Sequence, residues 1–170
     1  MARARTKVSA RTNKVMARAK KADVRRGAAR SPRAKASAST ARRQHKFVAS
    51  HLAPDAFKAD GLRSYAHYRD LGIKDATRGM AVAHVIRLIG KCDPKIVSKN
   101  HTHACEFQMI YVLKGQITTE IDGHGAHTMN AGDCWLQPQG IVHKVLDYSD
   151  GCELLEIVLP ADFKTVELEK

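Results

Sequence analysis

The sequence predicts an all-β domain, a sandwich or closed barrel of short strands over residues 62–160, behind a basic segment that does not fold. Three observations carry this. From Val82 onward the chain breaks into short β-branched or alternating runs, turn residues separate them at regular intervals, and no stretch sustains a helical period. Closing the sheet would also remove the exposed edges that a small open sheet must protect.

The first element, residues 1–46, is a basic tail. It holds sixteen Lys or Arg against one acid, Asp23, for a formal charge of +15, whereas residues 47–170 hold thirteen against sixteen, or −3. The high isoelectric point therefore belongs to the tail, and charge gives no reason to read the body as a nucleic-acid binder. The apolar residues Val8, Val15, Met16 and Val24 are scattered, so burial cannot offset about 1–2 kcal/mol of backbone entropy per ordered residue. Disorder is the expected state, with non-specific contact to nucleic acid or an anionic surface as the interaction such a tail supports. No aromatic residue precedes Phe47, which argues against base stacking. A cleaved import peptide and a dispensable extension fit the same composition.

Residues 47–61 read as a linker with a short helix over Pro54–Asp60, since Pro54 suits a first turn and Gly61 a stop. Leu62–Leu71 is the candidate for an edge or exchanged strand. Strands are then expected at Val82–Ile89, closing at Gly90, and at Ile96–Ser98, leading into His101 and His103. Phe107–Leu113 ends on Lys114-Gly115. Gln116–Ile121 turns at Asp122-Gly123, where Gly accepts the positive φ of a tight hairpin. Ala126–Asn130, Cys134–Leu136, Val142–Leu146 and Leu154–Leu159 complete the set, and residues 161–170 form a C-terminal tail.

The four cysteines, at 92, 105, 134 and 152, include no C-x2-C pair. They read as free thiols in a reducing, cytoplasmic setting, and Cys105 and Cys134 as small buried hydrophobes. No apolar run approaches the ~20 residues of a membrane-spanning helix, and no secretory h-region stands at the N-terminus.

The chemistry gathers around the histidines. His101 and His103 stand at i and i+2 of a strand, so both imidazoles leave the same face. Gln108, Ile110 and Val112 share a face of the next run, which turns the Gln108 amide toward the same interior. His143 opens a later strand behind the turn at Pro138-Gln139-Gly140. An isolated His is commonly a hydrogen-bonded core or surface residue. Two at i and i+2 of one strand with a third at the start of another suit a divalent metal, because the sheet fixes their geometry before the ion arrives. His84 either borders this interior or fills core, and His124 and His127 flank a turn.

These residues carry a family resemblance. His101-Thr-His103-Ala-Cys-Glu-Phe-Gln108-Met-Ile-Tyr111-Val-Leu-Lys-Gly115 resembles the first motif of the cupin superfamily. Gly132-Asp-Cys-Trp-Leu-Gln-Pro138-Gln-Gly140-Ile-Val-His143 resembles the second, a Gly, five residues, Pro-x-Gly, two residues and His. The resemblance, to a small single-domain (type-2-like) cupin, implies a double-stranded β-helix, the jelly-roll barrel. It also implies one divalent metal ion (Fe, Mn, Ni, Zn or Co) on His101, His103, Gln108 and His143. The chain departs from the pattern at Lys95, where the family commonly has Gly, and at Gln108, where it commonly has Glu. Cupins resembling the isomerases of pectin and alginate breakdown products are similar in carrying Gln there. Four neutral donors would leave the ion's charge uncancelled, stabilising an enolate or carboxylate better than a Glu-ligated centre does, at a cost in affinity. Glu106 is the alternative carboxylate, as ligand or as an outer base.

The implied function is a metal-dependent enzyme acting on a small oxygenated, anionic molecule by isomerisation or dioxygenation, with Gln108 favouring the non-redox branch. Glu106 is the candidate catalytic base. Arg87 is the candidate partner of a substrate carboxylate, and Tyr111, with Tyr65 and Tyr68, of a substrate hydroxyl. The alternative is a non-catalytic sensor cupin that binds metal and a small ligand, with a homodimer formed through outer strands. A DNA-associated regulator is disfavoured, since no helix-turn-helix precedes the barrel.

Overall fold

A computed structural model of the protein describes residues 44–168. The expected disordered tail over 1–46 lies outside these residues apart from 44–46. In chain order the strands are β1 (Ala66–Asp70), β2 (Val82–Leu88), β3 (His101–Ala104), β4 (Phe107–Lys114) and β5 (Gln116–Ile121). They continue with β6 (Gly125–Asn130), β7 (Cys134–Leu136), β8 (His143–Tyr148), β9 (Glu153–Leu159) and β10 (Lys164–Glu167). They form two five-stranded sheets, one ordered β1-β2-β9-β4-β7 and the other β10-β3-β8-β5-β6, with every pairing antiparallel.

This corrects the expected closed jelly-roll barrel. β1 and β7 end the first sheet, β10 and β6 the second, and among the described residues no ladder joins one sheet to the other. The cause lies at the corners. From β2 onward the chain changes sheets at almost every connection, so successive strands pack across a shared core instead of pairing side by side. One corner depends on Gly115, whose φ is 76°; a Cβ there would stand 3.1 Å from Cys152 Cα and meet Ser149 Oγ. The edges are blunted by shortness, β7 having three residues and β10 four.

Between the sheets, Leu88, Ile110, Val112 and Leu154 of the first meet Ile117 and Tyr148 of the second. Along β4 the expected alternation holds: Gln108, Ile110 and Val112 are buried while Phe107, Tyr111 and Leu113 are exposed. Most strand positions match expectation, and three segments differ. Ile96–Ser98, expected as a strand, falls mostly within the one-turn helix Pro94–Val97. Asp93 caps that turn by accepting a 2.9 Å hydrogen bond from the Lys95 N–H, and Pro94 fits its first position. Pro54–Asp60, expected as a helix, makes only a turn at Pro54-Asp55, because Lys58 is drawn into an isolated bridge with Tyr68 through two 2.8 Å backbone hydrogen bonds. Residues 161–170, expected as a tail, contribute β10, which pairs with β3 and sets Thr165 opposite His103. Within Leu62–Leu71, β1 takes the edge of the first sheet.

All four cysteines are free thiols; Cys105 and Cys152 are buried, but Cys134 is exposed, since it lies on the outer side of a short edge strand. Among the described residues no helix is long and apolar enough to cross a membrane.

Candidate metal centre

β3 and β8 pair through His101 and His143, which sets the two rings side by side with centroids 4.1 Å apart. His103, one alternation further along β3, lies 5.1 Å from each. One ligand nitrogen from each of the three rings falls within 4.8 Å of the others.

Each ring is oriented through its Nδ1. That of His101 is 2.8 Å from the Lys99 carbonyl oxygen and that of His143 3.0 Å from the Ile141 carbonyl oxygen. A carbonyl only accepts, so these rings carry their proton on Nδ1 and keep the Nε2 lone pair available. The His103 Nδ1 stands 2.9 Å from Thr165 Oγ1 on β10. Ties of this kind orient the rings of metal-binding histidines. Burial also holds the imidazoles neutral, as ligands must be. It lowers all three, taking His143 down to about 4 with help from neighbouring His101. His103 likewise falls to about 4, chiefly through burial and against the pull of Glu156.

Gln108, only 2% exposed, joins the site from β4 in the opposite sheet. Its Nε2 donates to Glu156 Oε1 at 2.6 Å, while its Oε1 is buried with no hydrogen-bond partner. Glu156 lies on β9, in register with Ile110 of β4 and His84 of β2, and its Oε2 is 2.5 Å from His84 Nε2. Burial would raise the Glu156 carboxyl, but the hydrogen bond and charge of His84, aided by the Gln108 amide, outweigh it and hold the group below the usual carboxylate range.

These residues border one cavity of about 280 Å³. Its walls are mostly apolar, from Ile86, Leu88, Trp135 and Leu154 among others, with Tyr68, His84 and Glu156 as polar features. Gln137 adds a second anomaly. Its Oε1 accepts from Trp135 Nε1 at 3.0 Å, and its Nε2 is buried without a partner.

Among the sequence candidates, then, His101, His103, Gln108 and His143 border one cavity together with His84, Tyr65 and Tyr68, and three others, Arg87, Tyr111 and Glu106, stand apart from it. Arg87 leaves β2 on the face opposite His84, where its Nε donates to Glu153 Oε1 at 2.9 Å and its guanidinium lies 3.6 Å over the Phe57 ring. A spacing of three residues sends the two side chains to opposite faces of a strand. Tyr111 is on the exposed face of β4, and Glu106 is exposed between β3 and β4. The substrate-binding and base roles expected of these residues have no support in their positions.

Sequence reasoning missed Glu156, Gln137 and Thr165. Glu156 had a signal, an acid inside the apolar run Leu154–Leu159, since a charge there is costly unless paired. Thr165 had none, because β10 was read as tail. The arrangement fits a divalent ion: three neutral imidazoles with tied Nδ1 atoms, and an orphaned amide oxygen on a residue that lines the same cavity. Such nitrogen and oxygen donors suit Fe, Mn, Ni, Zn or Co.

Residues 91–158 match the family model described as Cupin domain. No curated protein matches the chain in sequence. Among solved structures it is similar to KdgF from Halomonas sp., at 15% identity and TM-score 0.50 over 62% of this chain and 88% of that one. It is also similar to a cupin-superfamily sugar phosphate isomerase from Silicibacter pomeroyi, at 18% identity and TM-score 0.51 over 66% and 71% of the two chains. A third similarity is to oxalate decarboxylase from Bacillus subtilis, at 21% identity and TM-score 0.50 over 63% of this chain but 29% of that one. At these identities the likeness is one of fold.

Proposed function

From the premise that the chain contains a cupin domain, we propose a metal-dependent enzyme that moves a proton on a small oxygenated anion, an isomerase or a lyase without net oxidation. His101, His103 and His143 would hold the ion, with Gln108 Oε1 as fourth donor. The observation that carries the reading is this orphaned, buried oxygen on a residue lining the cavity that the three tied imidazoles border.

When bound, the ion supplies Lewis acidity toward a substrate oxygen, and four neutral donors leave that charge undiminished. The chain's residues do the rest. Glu156 orients His84 on the cavity wall, where Glu106 has no access, and His84 takes a proton at one substrate atom and returns it at another. Gln137 Nε2 offers a hydrogen bond to a substrate oxygen. The apolar walls exclude water from a charge developing beside them.

The test is turnover of small hydroxy- and keto-acids, uronates included, by protein of measured metal content, in air and under argon. Turnover undiminished under argon and abolished by a chelator is the expected result. Oxygen uptake in step with turnover would replace the proposal by dioxygenation. Metal and ligand binding with no turnover would replace it by a sensor role.

A further inference from the structure

We infer that Glu156 is a positioning residue that makes an amide, rather than the family's usual carboxylate, the fitting side chain at position 108. This rests on the proposed metal centre and deepens it. The sheet imposes the contact: Glu156 stands opposite Ile110 on β4, and Gln108 is two residues along the same face, within the diagonal reach of a long side chain.

The contact has one permitted polarity. An ionised carboxylate only accepts hydrogen bonds, whereas an amide has a donor end and an acceptor end. With Nε2 held on Glu156 Oε1 at 2.6 Å, the amide is pinned, and Oε1 is the atom left for the cavity. Turning the amide over would set two oxygens against each other. The other carboxylate oxygen is engaged by His84 Nε2 at 2.5 Å, so Glu156 cannot swing away without breaking a second bond. A carboxylate at 108 would have no hydrogen to give and would place two like charges at the distance now spanned by a hydrogen bond. The departure from the family motif at 108 and the acid inside the apolar strand β9 are thus two halves of one feature.

The exchange is testable by swapping the halves. Gln108→Glu, Glu156→Gln and the double exchange are compared with the wild type in two measurements: Co²⁺ and Zn²⁺ affinity by titration calorimetry, and the melting temperature of the metal-free protein. Gln108→Glu is expected to bind metal at least tenfold more weakly, although an added negative ligand would by itself tighten binding, and to melt lower. Glu156→Gln frees the amide and is expected to weaken binding about tenfold, the lower end of what losing an outer partner of a metal ligand costs. The double exchange restores one donor facing one acceptor and is expected to recover both affinity and melting temperature. If a single variant does not fold, recovery of a folded protein in the double supports the pairing.

Tighter binding by Gln108→Glu at an unchanged melting temperature overturns the inference, as does a double exchange no better than the worse single. Failure of the metal reading looks different. If the wild type binds neither ion, the centre is lost, yet the melting temperatures of the four metal-free proteins still decide whether positions 108 and 156 are a matched pair.

Discussion

Thr165→Val is the perturbation that separates a scaffold strand from a strand of the site. Thr165 lies on β10 in register with His103, and its Oγ1 is the partner of His103 Nδ1 at 2.9 Å. Valine keeps the shape and the strand preference of threonine and removes the oxygen. The net worth of such a hydrogen bond is about 0.5–1.5 kcal/mol, which at about 1.4 kcal/mol per decade is roughly two- to twelvefold in a dissociation constant. A second contribution adds to this. His101 and His143 keep carbonyl ties that set their tautomers, whereas His103 without Thr165 loses the tie on its Nδ1. The expected outcome is Co²⁺ or Zn²⁺ affinity about tenfold weaker by calorimetry, toward the upper end of the hydrogen-bond range and the lower end for outer partners of metal ligands. The metal-free protein should stay folded and melt about 3–6 °C lower, as befits roughly 1 kcal/mol in a domain of this size. Thr165→Ser keeps the hydroxyl and should retain most of the affinity. Wild-type affinity in the valine variant would refute the reasoning, as would a serine variant that falls as far as valine, since the methyl group would then be what matters.

Three further outcomes follow from the structure. The rings of His103 and His143, held down to about 4 chiefly by burial, should stay ready to bind metal well below the ordinary histidine range, so affinity should be nearly flat from pH 8 to about 5.5 and collapse toward pH 4; a fall centred near 6.5 would contradict this. In the metal-free protein the sign is set by linkage: the unfolded chain, with histidines near 6.5, takes up protons first as pH drops, so the melting temperature should hold above about 6.5 and decline as pH falls toward 4. Arg87→Ala removes a half-exposed ion pair with Glu153 and the stacking on Phe57 and should cost about 1 kcal/mol of stability by denaturant titration, with metal affinity and turnover unchanged; loss of turnover in a stable variant would return Arg87 to the site.

What could be read in advance, and what could not, divides by the range of the interaction. The centre was legible because its spacing is local: His101 and His103 alternate on one strand, and His143 follows the Pro138-Gln139-Gly140 turn that delivers it to a later one. The strands β4, β5, β6, β7 and β9 were legible for the same reason, through period and punctuation. Barrel closure was not, because alternating runs serve a sandwich as well as a barrel, and only the non-local choice of partners distinguishes them. β10 is four residues with charged ends, and its strand character comes from pairing with β3. The strand expected at Ile96–Ser98 followed its β-branched Ile96 and Val97, whereas Asp93 and Pro94 start a helical turn there. Glu156 is the instructive case. Each of its features looks like an error when taken singly: an acid among Leu, Ile and Val, and a Gln where a Glu was expected at 108. Each anomaly raises the cost of a buried polar group, and the two costs cancel only if the groups touch. Two costly exceptions on inward faces of predicted strands are therefore a reason to expect those strands to be neighbours, which is a constraint on pairing that hydrophobic periodicity alone cannot supply.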